Sequence, residues 1–200
     1  MEVVTVEVGP QKSVFVIHKD LLYFYSDYFR AAFNGSFTEA VEGKLSLLDE
    51  RVETFRAFNT FIYTRKLNDT DETELDWTTL VQLWIFGDKH LVPALQNQTI
   101  NVLMKKQIKM QVIPVYQLGQ VYQNTLPDSP LRKLFTDWSA YKGSIQKITA
   151  PELNDQWPRD ALFDLIGALA AKGRDQIGVY KLPEERGKCH YHVHAEGESC

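Results

Sequence analysis

The sequence predicts an α/β fold of the α+β type, in which a small sheet is flanked by helices and followed by an all-helical extension. Three observations lead to this prediction. Two β-branched runs, residues 3–8 and 13–17, flank a Gly9-Pro10 break, which is typical of a hairpin. A third short β run occupies residues 44–48. Between and beyond these runs, apolar residues recur at helical spacing.

The first hairpin should place Val14 and Val16 on one face and Phe15 and Ile17 on the other, because successive side chains of a strand alternate. The run at 44–48 lies too far along the chain for a tight hairpin with the first two strands. We therefore expect it to pair with them across the intervening helices.

Ser26, followed by Asp27, resembles an N-cap inside a helical run. The sequence therefore predicts two short helices here, at about 19–25 and 27–33, and not one long helix. Later helix starts are marked in the same way, by capping residues and by prolines suited to a first turn. These later signals are Asp76, Pro93, Ser129-Pro130 and Pro158, and the last helix should stop at Gly173.

The helical pattern beyond the third strand run continues through three stretches of the extension. Each should carry one apolar stripe: Val112, Val115, Tyr116 and Gly119 in the first, Leu131, Leu134, Phe135 and Trp138 in the second, and Leu162, Leu165, Ile166 and Leu169 in the last helix. We predict a first domain at 1–107, a helical extension at 108–173 and a tail at 174–200. The tail is rich in glycine, proline and charge, which favours weak order.

Composition excludes several classes of function. The formal net charge of −4 gives no basis for nucleic-acid binding, which needs clustered Lys and Arg. No apolar run is long enough to cross a membrane, and the N-terminus lacks the features of a signal peptide. The only two cysteines lie in the tail, which favours an intracellular protein of the cytoplasm or nucleus. No phosphate-binding, nucleotide-binding or nucleophile-elbow motif occurs, so we predict no enzyme and no small-molecule substrate.

The first 106 residues also carry a set of local motifs in a characteristic order, strand–strand–helix–helix–strand followed by three helices. The motifs are Phe15-x-Ile17-His18-Lys19, then Leu22, Ser26, Phe29 and Phe33, then Phe55 and Phe61-Ile62-Tyr63-Thr64, and finally Leu83-x-x-Phe86-Gly87-Asp88-Lys89 before Leu91. Together they resemble the BTB/POZ domain. The remaining residues are similar to the helical extension that follows this domain in many short fungal BTB proteins. The resemblance implies a protein-binding module without catalytic residues.

Three features depart from the family pattern. Arg65 stands where a glycine usually ends the helix, and arginine in a left-handed conformation costs about 1 kcal/mol more. Arg51 replaces the usual capping Asp or Ser, so we expect a weaker cap. The sequence begins at the first strand, without the segment that some members exchange between subunits, and we do not expect an obligate swapped dimer.

The resemblance also implies a partner-binding site at Phe37-Thr38-Glu39. Family members that recruit a cullin scaffold carry an apolar-x-Glu triplet at the equivalent place. Phe37 would fill a pocket of the partner, and the Glu39 carboxylate would accept hydrogen bonds at its rim. The alternative is that Phe37 packs onto the core of its own domain.

A second candidate site lies in the tail. Cys189, His192, His194 and Cys200 could form a tetrahedral structural zinc site, which would hold the tail together. Similar tails recur at the ends of fungal BTB chains, although this spacing matches no standard zinc finger. The alternative is a polar terminus in which these ligands occur by chance. His18 and His90 occur singly, and we interpret both as structural.

The sequence thus predicts a protein–protein interaction module, with adaptor function for a cullin-type ubiquitin ligase as the leading hypothesis. The alternative is a scaffold or transcriptional regulator that does not bind a cullin and acts by self-association, for example as a homodimer. A more remote alternative is a zinc-dependent enzyme. It is disfavoured because a Cys2His2 set leaves no open position for water on the metal. No cofactor is required by either leading hypothesis.

Overall fold

The computed structural model forms two compact units along the chain. They meet in sequence between Thr99 and Ile100. This division falls inside a helix, eight residues before the predicted domain end at 107. The structure describes residues 2–34, 38–144, 146, 150–174 and 181–194.

The first unit contains a three-stranded sheet in the order β2-β1-β3. β1 (Val3–Val8) and β2 (Ser13–His18) run antiparallel, and β3 (Lys44–Leu47) runs parallel to β1. This confirms the predicted hairpin and the pairing of the third strand. One face of the sheet is buried in the core, through Val4, Val6, Val8, Ile17, Leu45 and Leu47. The other face carries Val14 and Val16 into solvent, as their alternation predicts.

Helices pack against the buried face of the sheet. Those of the first unit are α1 (Lys19–Tyr25), α2 (Asp27–Asn34), α3 (Thr38–Glu42), α4 (Val52–Thr64) and α5 (Trp77–Lys89), and α6 (Pro93–Met110) begins there. The predicted break between α1 and α2 is confirmed, because the Phe29 amide donates a hydrogen bond of 3.1 Å to the Ser26 hydroxyl. Asp76 likewise caps α5, accepting from the Thr79 amide at 2.9 Å.

Arg65 ends α4 in the left-handed conformation, with φ at 64°. Its amide donates to the Phe61 carbonyl at 2.8 Å, as a glycine in this position would. The guanidinium lies over the rings of Tyr25 and Phe24, at 4.5 and 5.5 Å from their centroids. These contacts offset part of the backbone cost of the missing glycine. At the other end of α4, Arg51 provides no side-chain cap, as predicted.

The second unit is built from helical segments. They are the rest of α6, α7 (Leu118–Asn124), α8 (Pro130–Asp137), a π-helical turn (Trp138–Lys142) and α9 (Arg159–Arg174). Short 3₁₀ turns occupy Glu72–Glu74 in the first unit and Val115–Gln117, Pro151–Gln156, Pro183–Glu185 and Lys188–Tyr191 in the second. Ser129 caps α8 as predicted, accepting from the Arg132 amide at 3.3 Å.

One predicted stripe in the extension is wrong, and a second, in the last helix, is wrong in part. The stripe from Val112 to Gly119 does not form one helical face, because the chain is non-helical at 111–114 and Tyr116 is exposed. Pro114 explains this, since it lacks an amide hydrogen and keeps the preceding residue extended.

In α9 the buried residues are Ala161 and Leu165, whereas the predicted Leu162 and Ile166 are exposed, together with Phe163. α9 therefore buries a narrower stripe than its sequence suggests. Among the described residues, no helix combines the length and the apolar character that crossing a membrane requires.

Candidate interaction surface

The predicted partner-binding triplet lies between α2 and α3. Phe37 falls outside the described residues, so neither of its two predicted placements is tested. Glu39 is half-buried in the first turn of α3, and Thr38 is exposed. α3 has no buried residue, and its Val41 is 80% exposed. We call Tyr28, Glu39, Val41 and Glu42 the α2–α3 surface.

Tyr28 connects this surface to the core. Its ring makes edge contacts with Phe29 and His90, at centroid distances of 5.2 and 4.8 Å. Burial raises the pKa of the Tyr28 hydroxyl, and the nearby carboxylates of Glu50 and Glu39 raise it further against the opposing effect of Lys89. The hydroxyl therefore stays protonated and can donate a hydrogen bond to a partner.

His90 fixes α2 against the end of α5. The buried Ser26 hydroxyl donates to the His90 carbonyl at 2.6 Å, and the His90 ring hydrogen-bonds the Phe86 carbonyl at 3.0 Å through Nδ1. The ring also stacks on Phe86 and Phe29, at 4.1 and 5.6 Å. His90 therefore positions the helix that carries Tyr28, which agrees with its predicted structural role.

His18 is also held by a structural contact. Its Nδ1 lies 2.8 Å from the Tyr63 hydroxyl, which also accepts a hydrogen bond of 3.2 Å from the His18 amide. The contact joins the end of β2 to α4, which agrees with the predicted structural role of His18.

We expect acid to destabilise the first unit through His90. Burial lowers the pKa of this imidazole below its ordinary value of 6.5. As the pH falls below about 6.5, the unfolded chain takes up a proton that the folded chain resists, so the free energy of unfolding decreases. Urea unfolding at several pH values between about 5 and about 7.5 measures the slope of the free energy of unfolding against pH. His90→Phe keeps an aromatic ring but cannot take up a proton, so this slope should be smaller in the variant. A slope unchanged in this variant would contradict the assignment to His90.

The four predicted metal ligands are only partly described, because Cys200 lies outside the described residues. Cys189 is exposed at the turn Lys188–Tyr191. The rings of His192 and His194 lie 6.0 Å apart, and His192 Nε2 lies 3.0 Å from Asn101 Oδ1. Within the described ranges, no group of three or more His, Cys, Asp or Glu side chains is arranged to hold a metal ion. The zinc site thus remains a prediction.

The tail at 181–194 is nevertheless docked on its own unit, where the sequence favoured weak order. The Tyr191 hydroxyl, buried with its ring, donates to the Asp137 carboxylate at 2.7 Å. The Arg186 guanidinium donates to the same carboxylate oxygen and lies 2.9 Å from His190 Nε2. Burial and the neighbouring Asp137 raise the pKa of Tyr191, so its hydroxyl remains a donor.

A cleft of about 450 Å³ lies beside α8 and α9, with both acidic and basic side chains in its wall. These charged groups serve internal contacts. Arg132 donates to the carbonyls of Tyr122 and Thr125, and Asp164 accepts from the Tyr122 hydroxyl at 2.7 Å. Arg132, Asp137 and Asp164 in this wall are therefore each held by a contact within the unit.

The first unit is thus a small sheet covered on one face by aromatic-rich helices, with a short helix presented to solvent beside it. A family model described as BTB/POZ domain matches residues 3–107. The chain belongs to this family, whose domains mediate protein–protein interactions and dimerisation and are not typically enzymes. No curated protein matches the chain.

Sequence reasoning missed two contributors to these surfaces. Tyr28 was not among the predicted site residues, because a tyrosine next to core positions is equally typical of an ordinary surface residue. The partnership of Tyr191 with Asp137 spans 54 positions, and no local pattern could have identified it.

Proposed function

We propose that the chain is an adaptor that connects a cullin-type ubiquitin ligase scaffold to a substrate, with Phe37 and Glu39 as its cullin anchors. The observation that carries this proposal is that α3 buries none of its residues. A helix with no part in the core leaves its side chains available to a partner. Glu39 and Glu42 make the α2–α3 surface acidic, which suits a partner that offers hydrogen-bond donors or basic side chains.

The extension supports a separate role in substrate binding. Leu162, Phe163 and Ile166 form an exposed apolar patch on α9. Contiguous exposed apolar residues commonly mark a protein-binding surface. The adaptor hypothesis assigns the cullin to the first unit and the substrate to the second.

Replacing both anchors should abolish cullin binding. We expect the Phe37→Ala/Glu39→Ala variant to bind a purified cullin N-terminal domain at least about 30-fold more weakly than the wild type, because truncating central interface anchors typically costs 2 kcal/mol or more. Isothermal titration calorimetry measures the dissociation constants.

The matched control is Thr38→Ala/Glu53→Ala, which changes two exposed residues to which no partner contact is assigned and should bind within about threefold of the wild type. Circular dichroism establishes that both variants are folded. Wild-type protein that binds no cullin, or equal dissociation constants for the anchor variant and the wild type, would refute the adaptor proposal.

A further inference from the structure

The strand β2 forms one edge of the three-stranded sheet, with β1 as its only neighbour among the described strands. Natural proteins usually protect such an edge with a charged residue, a proline or a bulge. β2 has the sequence SVFVIH, which contains no proline and no Lys, Arg, Asp or Glu. It is therefore an unprotected edge.

The hydrogen-bonding pattern identifies which backbone groups point outward from this edge. The Lys19 amide donates to the Glu2 carbonyl at 3.0 Å, and the register places Val4 opposite Ile17. Because bonded and non-bonded pairs alternate in an antiparallel ladder, Val14, Val16 and His18 direct their N–H and C=O groups away from β1.

Two further contacts agree with this assignment. The Thr5 amide donates to the Gly43 carbonyl at 2.8 Å, so Thr5, which lies opposite Val16, directs this group away from β2. The outward His18 amide donates to the Tyr63 hydroxyl. The open part of the edge is therefore limited to the N–H and C=O groups of Val14 and Val16.

The side chains at this open edge are apolar and accessible. Val14 and Val16 are 61% and 62% exposed on the outer face of the sheet. On the opposite face, Phe15 is half-buried and contacts Phe55 at a centroid distance of 4.8 Å. A strand added here would cover both valines and the accessible part of Phe15.

We propose that β2 pairs with β2 of a second copy of this chain across a twofold axis, which joins two sheets into one of six strands. In antiparallel pairing centred on Phe15, Val14 lies opposite Val16 of the partner subunit, and Val16 lies opposite the partner subunit's Val14. All four outward groups of each edge are then matched, giving four intermolecular hydrogen bonds. Pairing centred on residue 14 would instead place Lys12 of the turn opposite Val16. Pairing centred on residue 16 would place His18 opposite Val14, although the His18 amide already donates to the Tyr63 hydroxyl.

Charge permits an identical partner. The edge strand itself has no formal charge, and Glu7, which lies opposite Val14 on β1, is paired with Lys44 at 2.8 Å. No like charges therefore meet in this register. A second copy supplies the same short, neutral, β-branched edge, which is complementary to itself.

The paired region is short, so the association should be weak. Stable dimers usually bury about 1,200–2,000 Å² in total, and two short strands bury less than that. We expect a concentration-dependent equilibrium. If another surface of the chain already forms a dimer, β2 pairing would connect those dimers into larger species.

Sedimentation velocity of the full chain, from low micromolar to near-millimolar concentration, tests the proposal. The wild type should show a weight-average sedimentation coefficient that rises with concentration. Val14→Lys/Val16→Lys changes only solvent-facing side chains and should weaken this step at least tenfold. Val41→Lys, a similar change at an exposed valine of α3, should behave as the wild type. A coefficient that is constant with concentration, or equal association in all three proteins, overturns the proposal.

A backbone variant separates strand pairing from simple apolar contact. Val16→Pro removes an outward amide that makes no bond to β1, so the hairpin should still form. Val16→Thr has nearly the same shape and retains the amide. We expect association to be lost in the proline variant and retained in the threonine variant. If both variants associate equally and circular dichroism shows both to be folded, association does not depend on backbone hydrogen bonds between the two β2 strands.

Disulfide trapping tests the register in a Cys189→Ser/Cys200→Ser background. Residues that lie directly opposite each other have Cα atoms about 5.5 Å apart, within reach of a disulfide. In this register Val14 lies opposite Val16 of the partner subunit, so two copies of the same residue are offset by two positions along the strands. Mixed Val14→Cys and Val16→Cys proteins should therefore cross-link faster than either alone. Equal rates would overturn the register. None of the changes in β2 touches the α2–α3 surface, so cullin binding by those variants reports separately on the adaptor proposal.

Discussion

The Phe58→Ala variant should lose about 3–5 kcal/mol of the free energy of unfolding of the first unit. The Phe58 side chain is 0% exposed. Its ring contacts Phe29, Phe55 and Phe86, at centroid distances of 5.7, 5.5 and 5.0 Å. These neighbours come from α2, α4 and α5, so a cavity here weakens the packing of all three helices. Since domains are stable by only about 5–15 kcal/mol, such a loss is a large part of the total.

Urea unfolding followed by tryptophan fluorescence measures this loss. Phe24→Ala is the matched control, because the same ring is removed from a site that is 68% exposed. Its cost should stay below about 1 kcal/mol, most of it from the contact with Arg65. Similar losses in the two variants would show that Phe58 does not hold the core in the way described.

The first unit was predictable because its signals are local. Ser26 interrupts the run between α1 and α2, and Asp76 caps α5, and each acts within three residues of its own position. The alternation of Val14 with Phe15 likewise identified the two faces of the sheet before any packing was known. The burial of whole faces then followed from this periodicity.

The remaining features depend on contacts that sequence spacing does not encode. Part of the cost of the glycine-like conformation of Arg65 is offset by Tyr25, 40 positions earlier, whose ring contacts the guanidinium. Ile166 resembles a core residue by its spacing, yet its side chain is 61% exposed among the described residues of the unit. Which strand forms the edge of the sheet, and hence the importance of Val16, also depends on the pairing of distant strands.

The Asp137→Ala variant should release the tail from the second unit. Asp137 is buried, and its carboxylate receives both the Tyr191 hydroxyl and the largely buried Arg186 guanidinium. Removing it leaves a guanidinium without its counter-charge and a buried phenol without its acceptor. Losing one member of a buried pair typically costs 3–5 kcal/mol, and we expect about 3 kcal/mol because Arg186 can relax toward solvent. Hydrogen exchange should then accelerate across residues 181–194.

Two comparison variants distinguish loss of the tail anchor from general destabilisation. Tyr191→Phe removes only the hydroxyl and should cost about 1 kcal/mol, with a smaller increase in exchange over the same residues. Asp155→Ala removes an exposed carboxylate from the same unit and should change the free energy of unfolding by less than about 0.5 kcal/mol. If exchange in the tail is equally slow in all three variants and the wild type, Asp137 does not anchor it. A graded response would instead establish that one carboxylate holds a segment 50 residues away, independently of any metal bound by the histidines beyond Tyr191.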